Sequence, residues 1–98
     1  MSAVTIDYKE GLHQALRDPE EEAAYLTAAL EEADQAVFML ALRDVAEAYG
    51  IGNVAQTADL NRENLYRMLS QSGNPQLASL NALLRAVGLR LAVEVEPA

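Results

Sequence analysis

The stretch VAQTADLNRENLYRML, Val54–Leu69, carries the reading of this chain. Val54 and Ala58 stand four apart with Ala55 on a neighbouring face, which predicts a short helix over Asn53–Ala58. ADLN is too short for anything but a tight corner. Asn61 can cap a second short helix running to about Ser70, with Leu65, Met68 and Leu69 turned inward. Leu60, apolar in the corner, should be pinned into the core. A small residue is needed at Ala55, where the second helix crosses the first. The outward side of that second helix is then Arg62, Glu63, Tyr66, Arg67 and Ser70. Two short helices joined by a brief corner form the helix-turn-helix arrangement. Periodicity alone also allows plain all-helical packing.

The flanks read as longer helices. Asp18 can cap, Pro19 fits a first helical position, and Glu20, Glu21 and Glu22 place negative charge where a helix dipole favours it. That position explains the three glutamates without a catalytic role. Tyr25, Leu26, Ala29, Leu30 and Ala33 follow at helical spacing. Asp34 can cap the next helix, whose stripe runs Phe38, Ala41, Leu42, Val45 and Tyr49 until Gly50 stops it. After the pair, QSGNP breaks the chain. A further helix over about Leu77–Val87 carries Leu77, Leu80, Leu83, Leu84 and Val87 inward, and Gly88 ends it. LRLAVEV then alternates Leu89, Leu91, Val93 and Val95 with Arg90, Ala92 and Glu94, the period of a half-buried strand. Val4, Ile6 and Tyr8 alternate in the same way and suit a short strand, with a helical turn at Leu12 and Leu16. A lone strand leaves backbone groups unpaired, so LRLAVEV should pair with VTIDY or with its own copy in a second chain.

The predicted class is therefore mainly α: five or so helices with a helix-turn-helix and a short C-terminal strand. One helical domain spans residues 18–98 behind an N-terminal arm, residues 1–17. A chain of 98 residues, 51% apolar and 22% charged, suits one small core. With no cysteine there is neither a disulfide framework nor a thiolate metal site, which fits a reducing cytoplasm. No secretion signal and no membrane-length apolar run is visible, so a soluble, cytoplasmic protein without membrane association is expected. His13 is the lone histidine and reads as a surface residue rather than a ligand. No phosphate loop, nucleophile elbow or triad is present, so neither an enzyme nor a cofactor is expected.

Charge is spread unevenly. The formal total is −8, yet residues 1–34 hold nine acids against Lys9 and Arg17, whereas residues 35–98 hold six acids against five arginines. Between Leu60 and Ala92, Glu63 is the single acid among Arg62, Arg67, Arg85 and Arg90. The acidic front is either a solvated helical surface or the receiver of a basic partner. The arginine-bearing helix suits a DNA major groove: arginine can fork onto guanine O6 and N7, and glutamate can accept from cytosine N4. Asn61 and Asn64, the amides around Gly52 and Asn53, and Asn74 in the following loop are candidate phosphate contacts. Tyr66 either stacks on a sugar or covers the core edge.

Over about Asp18–Val95 the chain resembles addiction-module antidote proteins, the HigA-like group with a lambda-repressor-type (XRE) helix-turn-helix. The residues that carry the likeness are DPEEEAAYLTAALEEAD, ALRDVAEAYG, NVAQTADLNRENLYRMLS, the GNP loop and LNALLRAVGLRL. The resemblance implies an antitoxin of a type II toxin-antitoxin system that neutralises a small basic RelE/ParE/HigB-like toxin. It also implies a transcriptional repressor of its own operon, bound to double-stranded operator DNA. The basic surface of one copy is small, so a homodimer reading two half-sites is expected. Two positions depart from the pattern. Asn61 stands where a serine cap is common, and Gln76 where serine or threonine often follows the loop proline. Two other readings stay open: a stand-alone helix-turn-helix repressor, and a protein-interaction module that does not bind DNA.

Overall fold

The computed structural model of the protein describes residues 2–70 and 72–97, and these form a mainly helical domain. Six helices follow one another: α1 (Ser2–Ala15), α2 (Pro19–Leu30), α3 (Gln35–Tyr49), α4 (Ile51–Ala58), α5 (Arg62–Met68) and α6 (Leu77–Ala86). The predicted caps are in place. The Asp18 carboxylate accepts from the Glu20 amide at 3.0 Å, and Asp34 accepts from the Ala36 amide at 3.0 Å. Each satisfies a first-turn donor that has no partner within its helix. Gly50 ends α3 at φ +92°, a backbone region that side chains disfavour.

Packing follows the apolar stripes. α2 and α1 lie on α3, while α4 contacts α3, α5 and α6, making α4 the hub of the second half. Leu16, Met39, Leu42, Val45, Val54, Leu65, Leu69, Leu83 and Val87 are all at most 2% exposed and form one continuous core. Burying a leucine or valine in this way stabilises by about 1.5–3 kcal/mol each.

The sequence-based expectation fails at both ends. Residues expected to form a strand at Val4–Tyr8 are helical, part of α1. Positions 4, 8, 12 and 16 also recur at helical spacing, and Leu12 and Leu16 pack into the core, which decides between the two periods. The C-terminal strand is not formed either. Residues 89–97 follow α6 without helix or ladder, and no strand exists among the described residues. A strand needs a partner backbone, and the partner anticipated within the chain is a helix. Two stripes are also narrower than their spacing suggested, since Leu30 is 62% and Leu77 is 72% exposed.

Candidate nucleic-acid interface

The α4–α5 pair is built as its sequence requires. α4 starts two residues earlier than its spacing indicated, at Ile51, directly after Gly50. Its end is closed by the Leu60 amide bonding the Ala55 carbonyl at 2.8 Å and the Asp59 amide bonding Gln56 at 3.2 Å. This pattern needs a left-handed residue at Asp59, observed at φ +58°. Leu60 is partly buried against the core, so the corner is anchored by an apolar side chain. Asn61 then caps α5, its Oδ1 accepting from the Asn64 amide at 2.7 Å. Ala55, Leu65 and Leu69 are buried between the helices. The cap role occupies the Asn61 oxygen, so this residue shapes the start of α5 before it can contact anything else.

What remains outward is the polar face. Asn53, Asn61, Arg62, Glu63, Asn64, Tyr66, Arg67 and Asn74 are exposed and Ser70 is half-buried. All but Asn61 and Glu63 line two troughs about α5. One gathers Asn53, Gln56, Arg62 and Tyr66 with the Gly50–Gly52 turn. The other gathers Asn64, Arg67, Ser70 and Asn74 with Gln76 and Ser79 at the start of α6. Gln76 makes no side-chain cap and Gly50 makes none for α4, so neither of these helix starts has its amides covered by a side chain. Helix starts of this kind attract anions.

The one ion pair among the described residues joins Arg43 to Glu47 at 3.5 Å, within α3. Arg62, Arg67, Arg85 and Arg90 have no acidic partner among them. Arg62 does have a resting place, because its guanidinium lies against Gly52, where a methyl group on the glycine would collide with it. No spacing argument reveals that contact, because it depends on how closely α5 crosses the first turn of α4. Asn53 is also partly engaged, donating from Nδ2 to the Tyr49 carbonyl at 3.3 Å. Ser70 donates its hydroxyl to the Arg67 carbonyl at 2.9 Å.

The acidic end holds what the sequence concealed. Glu22 is fully buried rather than part of a solvated run. Its Oε2 accepts from the Tyr49 hydroxyl at 2.9 Å, and its Oε1 has no partner among the described residues. Burial raises the Glu22 carboxyl above its ordinary value, against a smaller lowering by the Tyr49 hydrogen bond. Tyr49 is pushed up to about 12 by burial and by Glu22. Arg17 donates from Nε to the Ala48 carbonyl at 3.0 Å, fastening the α1–α2 corner to the end of α3. Tyr25 likewise donates to Asp44 at 2.6 Å, tying α2 to α3. His13, expected on the surface, is half-buried with an Nε2 that has no partner among the described residues.

No helix among the described residues is long and apolar enough to cross a membrane. No solved structure matches the chain significantly. A protein of Haemophilus influenzae, described as uncharacterised, is 34% identical over 79 residues, which is 81% of each chain. The family model described as "Probable addiction module antidote protein" matches residues 8–95, nearly the whole length. The chain belongs to that family of addiction-module antidote proteins.

Proposed function

We propose that the protein is the DNA-binding antitoxin of a type II toxin-antitoxin module, acting in the cytoplasm. It neutralises a RelE/ParE/HigB-like toxin and represses its own operon. Membership of the antidote family supports the antitoxin half, since an antidote implies a toxin counterpart. The DNA half rests on one observation. α5 is held by buried Leu65 and Leu69 while Arg62 and Arg67 stand outward without acidic partners among the described residues. In this reading α4, the Asp59 corner and α5 are a lambda-repressor-type helix-turn-helix, with α5 entering the major groove.

Arg62, Glu63, Tyr66 and Arg67 then read base edges or sugars. Asn53, Asn64, Ser70 and Asn74, in the two troughs, meet the phosphates on either side. The basic surface is small, so one copy binds modestly, and a homodimer reading two half-sites roughly 34 Å apart supplies the rest. On the opposite charge pole, exposed Glu20, Glu21, Glu31, Glu32 and Asp34 offer the toxin its complement, which sets encounter rate and partner choice more than final affinity. Glu22 takes no part, being buried.

Co-expression with the adjacent open reading frame, purification, and a mobility-shift assay on the upstream DNA test both halves together. The expected result is a co-purifying basic partner and retarded DNA. Retarded DNA without a partner would identify a stand-alone repressor. The net charge of −8 favours a second reading, a protein-interaction module. That reading requires a co-purifying partner and no salt-sensitive shift.

A further inference from the structure

The segment after α6 forms neither helix nor ladder, is apolar on alternate positions, and has no backbone partner beyond Leu89 among the described residues. The Leu89 amide closes α6 by bonding the Leu84 carbonyl at 2.7 Å, and Leu89 packs against the core. Beyond it, none of the backbone groups of residues 90–97 bonds another backbone group among the described residues. Leu91 is 44%, Val93 99% and Val95 93% exposed. Beside the segment runs a recess lined by Leu26, Leu30 and Phe38. Free backbone groups combined with a bare apolar edge are a template for another strand.

We propose that the strand is supplied by a second copy of this chain, paired antiparallel to the first about Ala92. The order of residues specifies the occupant. About Ala92, Leu89 faces Val95 and Leu91 faces Val93, so the apolar positions of both copies share one side. On the other side Arg90 of each copy faces Glu94 of the other, giving two opposite-charge pairs by symmetry. Cross-strand pairs of both kinds stabilise an antiparallel ladder, and like charges opposite one another destabilise it. Parallel pairing in register sets arginine beside arginine. An antiparallel register centred on Val93 sets Arg90 against Glu96 but leaves Leu89 opposite Pro97, which has no amide to donate. The two-fold arrangement uses the same patch from each copy, as closed dimers do. An isolated two-stranded ribbon is marginal in water, and here Leu89 and Leu91 border the Leu26–Leu30 recess, while Val93 and Val95 stand clear of it and find apolar neighbours in the second copy.

This deepens the dimer in the reading above, but it is measured without DNA, so the two stand or fall separately. Sedimentation equilibrium on the full chain gives the dimer constant of the wild type, Arg90→Glu and Glu94→Arg. Arg90 and Glu94 are exposed, so neither substitution disturbs the helical core, and circular dichroism checks this. Each single variant should weaken the dimer by about tenfold or more, because two attractions become two repulsions. An equimolar mixture of the two variants should recover wild-type dimerisation as a heterodimer, since every facing pair is then Glu against Arg. Native mass spectrometry identifies that species. A wild type that stays monomeric, single variants that dimerise like wild type, or a mixture that stays apart would each overturn the proposal.

Discussion

α2 and α5 are both capped, charged helices, yet their charges do opposite work. α2 opens with three glutamates, of which Glu22 turns inward to meet Tyr49 and binds α2 to the end of α3. α5 has 7 residues against the 12 of α2, buries only Leu65 within its span, and keeps Arg62, Glu63 and Arg67 outside. In α2 charge is part of the architecture, and in α5 it is held in reserve. The difference teaches that a charged residue's role depends on what lies behind it. Glu22 is shut off from bulk solvent and meets a tyrosine hydroxyl, whereas Arg67 faces solvent over an apolar anchor.

The largest test of this contrast is Leu65→Ala. Leu65 is 0% exposed, and its truncation should cost about 2–5 kcal/mol in chemical denaturation. A loss below 1 kcal/mol would mean that α5 does not depend on its anchor. Tyr49→Phe comes next. It removes the one hydrogen-bond partner that a buried carboxylate has among the described residues, for an expected cost of about 1–3 kcal/mol at neutral pH. Cap removal is smaller and should be alike at the two helices. Asp18→Ala and Asn61→Ala are each expected to cost about 0.5–2 kcal/mol. Unequal losses would show that one helix start is held by something other than its cap.

Glu22→Gln isolates the buried carboxyl by pH. Its folded pKa lies above the ordinary value, so folding favours the protonated form. That contribution is fully present below the unfolded pKa and is lost as pH rises through the folded one. The stability advantage of the glutamine variant should therefore grow from its acidic value as pH rises past the ordinary carboxylate range, then level off. A difference that is flat with pH would place Glu22 in a wetter site than the structure gives it. Smallest of all, Arg62→Ala and Arg67→Ala should each change stability by less than about 0.5 kcal/mol, because neither side chain is buried or ion-paired.

Much of the helical frame was readable before any coordinates. Asp18, Asp34, Asn61, Gly50 and Gly88 mark helix boundaries through local chemistry, and local chemistry is what a sequence displays. The nine residues named for DNA contact lie around α5, though Asn61 is committed to capping, and seven of them split between two troughs that Asn61 and Glu63 do not line. Two kinds of feature escaped. Alternating apolar residues at Val4–Tyr8 and Leu89–Val95 do not specify a strand unless a partner backbone is present, and the helix at the N-terminus removed that partner. Glu22 and the Gly52–Arg62 contact depend on how closely helices cross, which no single-helix periodicity records. Glu22 stands four positions before Leu26 and seven before Ala29, both buried, and that spacing was the available sign.

The most direct test is the salt dependence of affinity for the DNA upstream of the gene, compared between wild type and the Arg62→Ala/Arg67→Ala double variant. Wild-type affinity should fall steeply as salt rises, and the double variant should bind more weakly by about 2–6 kcal/mol with a shallower slope. Equal affinities and slopes for the two proteins, or no salt dependence at all, would contradict a DNA-reading α5.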